Sequence, residues 1–144
     1  MAVALNVLVV DDSAIMRQMI IKILTMSGIP VEEIHQAGNG QEGLQVLESR
    51  WIDLVLMDIN MPVMTGEEMF TRMRANPATK DTAVVVVSTD GSATRMETMR
   101  RQGAGFVHKP FSPETLRGMI LATTGVSYEQ LSGVQAVPSD GPDF

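Results

Sequence analysis

Short apolar runs alternate along this chain with longer stretches of helical spacing. Val7–Val10, Leu54–Met57 and Ala83–Val87 are apolar throughout and rich in valine and leucine. Short continuous runs of this kind are typical of strands that are buried on both faces, so they predict the centre of a parallel sheet. Glu33–Ala37 and Gly105–His108 are weaker strand candidates.

Helical spacing fills the intervals between the predicted strands. Ile15, Met19 and Ile23 recur at every fourth position after Ser13, a residue type that often caps a helix. Apolar pairs mark four further helices, namely Leu44 and Leu47, Met69 and Met73, Met96 and Met99, and Leu116 and Ile120. Five strands that alternate with five helices predict a doubly wound α/β domain with a five-stranded parallel sheet.

Composition limits the classes of partner. The chain of 144 residues has a formal net charge of -6, which disfavours nucleic-acid binding because that requires a basic surface. It contains no cysteine, so disulfides and thiolate metal sites are excluded. The apolar start, Met1–Val10, is too short to span a membrane and lacks a basic leader, so we expect a cytoplasmic protein.

The character of the chain changes after Gly125. Ser132–Phe144 is rich in glycine, proline, serine and aspartate. We therefore expect one domain over residues 1–126 and a flexible tail over residues 127–144. Trp51 is expected to be a partly buried anchor before the third strand.

Polar residues stand at the carboxyl ends of four predicted strands. Asp11 and Asp12 follow the first strand, Asp58 the third, Ser88 the fourth and Lys109 the fifth. Ligands of open parallel sheets bind outside these strand ends, so we expect the five residues to converge on one site.

The residue types at these strand ends indicate a particular chemistry. Three neighbouring carboxylates repel one another unless a cation lies among them. Oxygen ligands with room for water suit Mg²⁺. A lysine and a hydroxyl group beside that ion would neutralise and hydrogen-bond the oxygens of a phosphoryl group in transfer. The pattern therefore favours phosphoryl chemistry.

The same motifs closely resemble response-regulator receiver domains of the chemotaxis CheY type. The resemblance covers about Leu5–Thr123. It rests on Asp11-Asp12-Ser13, Leu56-Met57-Asp58-Ile59-Asn60-Met61-Pro62, Gly66, Ser88-Thr89 and Lys109-Pro110-Phe111. It implies a flavodoxin-like fold with strand order 2-1-3-4-5, for which CheY is itself a standard example.

The resemblance also implies roles at the metal and at the phosphoryl group. Asp58 would accept the phosphoryl group from a phosphohistidine of a histidine kinase or phosphotransfer protein. Asp12 and Asp58 would bind Mg²⁺ directly, Asn60 through its backbone carbonyl and Asp11 mostly through water. Lys109 would contact the phosphoryl oxygens, and its bond to the following proline would be cis.

Further residues would control the response and its duration. Ser88 and Phe106 resemble the pair that switches these domains on phosphorylation. Asn60 and Asp90 occupy the two positions that flank the approach of the hydrolytic water in this family. Both are short and polar, so the resemblance implies a short-lived phosphoryl group.

The implied function is that of a single-domain response regulator, with chemotaxis as a candidate pathway. Such a protein catalyses only its own phosphorylation and dephosphorylation. Its output would be binding to a downstream protein, as a monomer or as a phosphorylation-dependent dimer. The binding face would comprise helix four, strand five and helix five, about Ala93–Thr123, with Met96, Met99 and Arg100 as candidates for its exposed surface.

Two other functions stay open at this point. A haloacid-dehalogenase-like phosphatase also uses a strand-end aspartate and Mg²⁺, but it is expected to carry a second aspartate where this chain has Asn60. A flavodoxin-like nucleotide-binding module would leave Asp11, Asp12 and Lys109 without a role. Gly38–Gly43 matches the pattern G-x-G-x-x-G, but it follows the weak second strand instead of the first.

Overall fold

The computed structural model describes residues 4–89 and 93–125, the side chains of 93–95 excepted. Strands and helices alternate strictly within these ranges. The elements are β1 (Leu5–Val10), α1 (Ala14–Met26), β2 (Val31–Ala37), α2 (Gly40–Ser49), β3 (Leu54–Met57), α3 (Gly66–Ala75), β4 (Ala83–Ser88), α4 (Ala93–Arg101), β5 (Gly105–His108) and α5 (Pro113–Thr124). Asp90 and the predicted tail, 127–144, lie outside the described residues.

The five strands form one parallel sheet in the order β2-β1-β3-β4-β5. This confirms the predicted fold class and strand order. β1 lies between β2 and β3, so the strand order reverses there, and a reversal of this kind opens a crevice at the carboxyl ends of the strands. No helix within the described ranges is both long and apolar enough to cross a membrane.

Alternate residues of the central strands belong to two separate cores. Side chains such as Leu8 and Met57 pack with α2, α3 and α4, whereas Val9 and Leu56 pack with α1 and α5. All four residues of β3 are buried, as expected for a strand that is covered on both faces. Full burial of one such side chain stabilises the fold by roughly 1.5–3 kcal/mol.

Two strands begin earlier than the sequence pattern predicts. β1 begins at Leu5 and β2 at Val31, two residues before the predicted starts in each case. Polar residues interrupt the apolar pattern in both extensions, so the pattern does not reveal these parts of the strands. Asn6 is held within β1 because its backbone N–H donates to Asp53 Oδ2 (2.8 Å), and Glu32 is exposed on β2, which is an edge strand.

Helix α1 begins as predicted but buries a different face. Ser13 is its N-cap, and the Ser13 hydroxyl accepts a hydrogen bond from the backbone N–H three residues later. Ile15 is 79% exposed and Met19 51% exposed, whereas Ile20 and Leu24 are fully buried. Apolar residues lie around most of this helix, so their spacing alone did not distinguish the core face.

The solvent exposure predicted from the sequence is wrong for two side chains. Met99 was expected on the surface but is buried, because it packs into the core beneath α4; Met96 is half-buried. Trp51 was expected to be partly buried but is 77% exposed. The next residue, Ile52, occupies the core position before β3 instead.

The glycine-rich match at the start of α2 is explained by packing. Asn39 caps the helix through its side-chain oxygen. A Cβ atom on Gly40 would lie 2.9 Å from the backbone oxygen of Met64, and one on Gly43 would lie 2.8 Å from Met69 Cε. Both glycines therefore allow α2 to approach α3 and the loop before it closely.

The loop between β3 and α3 contains a strained residue. Val63 has a φ of 68°, a left-handed conformation that β-branched residues rarely adopt. The backbone N–H of Met64 donates to the carbonyl of Pro62 (2.7 Å), so Val63 lies at the centre of a three-residue turn of the strained, positive-φ type. The Val63 side chain is largely exposed, and its burial therefore offsets little of this strain.

We expect Val63→Gly to be more stable than Val63→Ala by about 1 kcal/mol. Both substitutions remove the exposed side chain, but only glycine relieves a strain of about 1–3 kcal/mol, and it costs about 0.5–1 kcal/mol in chain entropy. Urea denaturation of the two variants measures the difference in the free energy of unfolding. An alanine variant as stable as the glycine variant would show that the turn is unstrained.

Candidate functional site

Three carboxylates lie together at the carboxyl ends of β1 and β3. One oxygen each from Asp11, Asp12 and Asp58 lies within 4.8 Å of the other two. Asp11 is buried, Asp58 half-buried and Asp12 exposed, so the cluster extends from the protein interior to solvent. Parallel pairing of β1 with β3 brings the ends of the two strands side by side and causes this convergence.

Backbone hydrogen bonds continue the sheet into the acidic residues. The N–H of Asp58 donates to the carbonyl of Val10 (3.0 Å), and the N–H of Asp11 donates to the carbonyl of Ala37 (3.1 Å). The backbone that carries the Asp11 and Asp58 carboxylates is therefore fixed by the sheet. Their positions follow from the strand register and not from a free loop.

The oxygens of the two inner carboxylates have separate partners. Oδ1 of Asp11 accepts a hydrogen bond from the backbone N–H of Ser13 (2.9 Å), and Oδ1 of Asp58 accepts one from Ile59 (2.7 Å). The Oδ2 atoms of both residues face Lys109. Its Nζ lies 3.3 Å from Asp11 Oδ2 and 3.7 Å from Asp58 Oδ2.

The net charge of the site suits a divalent cation. The Lys109 ammonium is largely buried between two carboxylates and offsets part of their repulsion. Three formal negative charges and one positive charge leave two negative charges, which one Mg²⁺ would balance. Carboxylate oxygens are also the ligands that Mg²⁺ prefers, so this donor set fits the ion.

The carboxyl ends of β4 and β5 meet at the same edge of the sheet. Ser88 is buried, and its backbone carbonyl accepts a hydrogen bond from the N–H of Lys109 (3.0 Å). The Lys109-Pro110 peptide bond is cis, as the resemblance implies. Asn60 is exposed two residues after Asp58.

Phe106 lies on β5 and is half-buried against the core beneath α4. The guanidinium carbon of Arg100 lies 4.9 Å from the centroid of its ring, within the range of a cation–π interaction. Arg100 is exposed, as predicted. The ring is therefore held between the core and a charged side chain at the surface.

Gly66 fixes the loop that follows Asp58. Its N–H donates to the carbonyl of Ile59 (2.8 Å), and a Cβ atom at this position would overlap the carbonyl oxygen of Asp58. Only glycine allows α3 to begin this close to the strand end. The resemblance marked Gly66, but the reason for it becomes visible in the packing.

Sequence reasoning missed Arg17 as a positioning residue. Its Nη1 donates to the backbone carbonyl of Asp11 (2.6 Å), and its Nε donates to Oε1 of Gln36 (2.9 Å). Arg17 thereby ties the loop of the acidic pair to β2. A basic residue in the first turn of α1 opposes the helix dipole, and this signal could have drawn attention to a compensating partner.

Comparisons with known proteins place this geometry in a family. The response regulator receiver domain matches residues 7–121. A probable chemotaxis protein CheY of Rhizobium etli is 32% identical over 122 residues, which are 84% of this chain and 93% of that protein. The solved chemotaxis protein CheY4 of Vibrio cholerae is 34% identical with a TM-score of 0.73, over 84% of this chain and 99% of that one.

A more distant structure shares the fold. It is the receiver domain of a sensor histidine kinase from Pseudomonas aeruginosa, solved with a magnesium ion coordinated in its active site cleft. It superposes with a TM-score of 0.73 at 19% identity, over 86% of this chain and 100% of that chain. The match to residues 7–121 covers well over half of the sequence, and the chain therefore belongs to the response regulator receiver domain family.

Proposed function

We propose that this chain accepts a phosphoryl group on Asp58 with the help of Mg²⁺ and signals by binding another protein. The observation that carries the proposal is the Lys109 ammonium between Asp11 and Asp58, beside the exposed carboxylate of Asp12. A nucleophilic carboxylate, an acidic cation site and a fixed positive charge are the parts that phosphoryl transfer requires.

In the proposed reaction an oxygen of the Asp58 carboxylate attacks phosphorus. The bond between phosphorus and the histidine nitrogen of the donor breaks, and its electron pair returns to the donor imidazole. Lys109 neutralises charge on the phosphoryl oxygens as they approach. Asp11, Asp12 and Asp58, with the backbone carbonyl of Asn60, would hold Mg²⁺, which supplies further charge neutralisation when it is bound.

Similarity to the relatives supports a proposal for the phosphoryl donor and for the pathway. We infer a histidine kinase or a phosphotransfer protein as the donor, and chemotaxis as the pathway that similarity to CheY proteins favours. The family assignment disfavours the phosphatase and nucleotide-binding alternatives. A cytoplasmic location and activity limited to its own phosphorylation and dephosphorylation are part of the same proposal.

The duration of the signal depends on water reaching the phosphoryl group. Asn60 is exposed beside Asp58 and is too short and polar to shield it as a large apolar residue would. We infer a short-lived phosphoryl group on this ground, with Asp90 as the second position that the resemblance implies.

The proposed switch runs from Ser88 to the surface of α4 and β5. The Ser88 hydroxyl would bind the phosphoryl group in the active state, and Phe106 would move with it. Phosphorylation shifts such an equilibrium only through contacts that differ between the two states. We infer that the interaction between Arg100 and Phe106 is one such contact, because it holds the half-buried ring beneath the guanidinium and would break if the ring moved.

Asp58→Asn should abolish phosphorylation because it keeps the shape of the side chain and removes the nucleophile. Intact-mass measurement after treatment with acetyl phosphate and Mg²⁺ should show one added phosphoryl group on the parent and none on the variant. Asp81→Asn, a control at the opposite end of the sheet, should behave like the parent. An adduct that persists in Asp58→Asn would refute the assignment.

Asp12→Ala should weaken Mg²⁺ binding on the order of tenfold or more, since even an indirect metal partner contributes about that much. Asp12 is exposed, so its loss should leave the stability of the fold largely unchanged. Isothermal calorimetry of Mg²⁺ binding, with Asp81→Asn as the control, measures the affinity. Equal affinities of the parent and Asp12→Ala would exclude Asp12 as a ligand.

Arg100→Ala should shift the unphosphorylated chain toward its phosphorylated state. Loss of a surface cation–π interaction of about 0.5–1 kcal/mol changes a two-state equilibrium by roughly two- to fivefold. Amide signals of β5 and α5 should move toward their positions in the phosphorylated parent. Arg101→Ala is the matched control, because it removes a neighbouring arginine whose partner is Glu97 (3.3 Å) and not Phe106. Identical spectra of the two variants would contradict a restraining role for Arg100.

A further inference from the structure

Two cavities open at the end of the sheet opposite to the carboxylates. The larger, about 610 Å³, is lined by residues that precede β3 and β4, among them Trp51, Asp53 and Thr82. The second, about 520 Å³, continues between α2 and α3. Leu47, Glu48, Ala78 and Thr79 line both, so the two cavities form one continuous groove, called here the Trp51 groove.

The indole of Trp51 is exposed but fixed in orientation. Its Nε1 donates to Asp53 Oδ1 (2.9 Å), and Asp53 Oδ2 accepts a hydrogen bond from the backbone N–H of Asn6 (2.8 Å). The N–H of Asp53 in turn donates to the carbonyl of Asn6 (2.8 Å). A large aromatic face that is already ordered loses little entropy on binding, which is the property of an interface anchor.

The charge around this indole is negative. Glu48, Asp53 and Asp81 line the larger cavity, and Arg50 is the one basic residue among its described lining residues. The face of an indole also attracts cations more strongly than the other aromatic rings do. The Trp51 end of the groove therefore suits a lysine or arginine side chain.

The second cavity carries an apolar strip beside polar and charged side chains, Glu48, Arg72, Asn76 and Thr79. Leu44, Leu47, Ala75 and Ala78 line the second cavity, and the two leucines also pack against the core, so their positions are fixed. A ligand that follows the groove from Trp51 would meet carboxylates first and then this apolar strip. Its own side chains would have to be cationic at one end and apolar along one face.

We propose that the Trp51 groove docks a basic amphipathic segment of a partner protein. A lysine or arginine of that segment would lie over the Trp51 indole, and its apolar face would cover Leu44 and Leu47. The proposal does not rest on phosphorylation of Asp58, because the groove lies at the amino ends of the strands and the carboxylates lie at their carboxyl ends.

The test is a titration of the full, unphosphorylated chain with a short amphipathic peptide of leucine and lysine. Trp51 is the single tryptophan of the chain, so its indole N–H signal reports on the groove. The lysine peptide should shift this signal and the amides of residues 47–53 and 78–82. A peptide with glutamate in place of lysine should not, and added salt should weaken binding because charges are involved.

Two variants measure the contribution of the Trp51 indole to the affinity for the peptide. Trp51→Leu keeps an apolar side chain and should lower the affinity about fivefold, the equivalent of a cation–π interaction of about 1 kcal/mol. Ile15→Ala removes a similarly exposed apolar side chain from α1, outside the groove, and should leave the affinity unchanged. Unchanged amide spectra and unchanged phosphorylation of Asp58 verify that both variants are folded.

Each contrary outcome would overturn the proposal. Equal binding of the glutamate peptide would show that the negative charge of the groove does not select the peptide. Shifts confined to the surroundings of Asp12 and Asp58 would place the basic peptide on the carboxylate cluster instead. An indole signal that depends on protein concentration without peptide would indicate a second copy of the chain. Contacts between Trp51 and the rings of Tyr128 or Phe144 would indicate the chain's own carboxyl-terminal segment.

Discussion

The structure depends on holding three carboxylates together against their mutual repulsion. Like charges about 4 Å apart repel by roughly 4 kcal/mol at the effective dielectric typical of a protein surface. Pairing of β1 with β3 holds Asp11 and Asp58 together through backbone hydrogen bonds, and the two buried cores hold those strands in place. Lys109 offsets part of the repulsion. The remaining negative charge fits a divalent cation, as the proposed function requires.

The sheet and the convergence of polar residues could be predicted because both follow from short-range rules. A run such as Leu54–Met57 is apolar throughout because it is buried on both faces, and its carboxyl end must share an edge with those of its parallel neighbours. The acidic residues and Lys109 therefore came together as expected. The face of α1 could not be predicted, since Ile15 and Ile20 are equally apolar and only tertiary packing separates them.

Other features depend on contacts between distant segments and leave little trace in the sequence. Arg17 reaches across to β2, and Gly66 is required by the backbone of Asp58. The exposure of Trp51 follows from a hydrogen bond to Asp53 and from Ile52 having taken the core position. Hydrophobic periodicity describes which side of an element is apolar, but it does not describe which neighbour that side meets.

Two possible routes away from the proposed phosphorylation site, β3 and Phe106 on β5, differ in how tightly their side chains are packed. Asp53 precedes β3 and Asp58 follows it, and all four residues between them are fully buried. A strand packed this closely does not deform by small steps, so we do not expect small shifts at Asp58 to reach the Trp51 groove through it. Phe106 is half-buried beneath an exposed arginine, so packing constrains its ring less than it constrains the residues of β3. Coupling requires an element with two states. We therefore propose that the response to phosphorylation travels through α4 and β5 and that binding in the Trp51 groove does not depend on it.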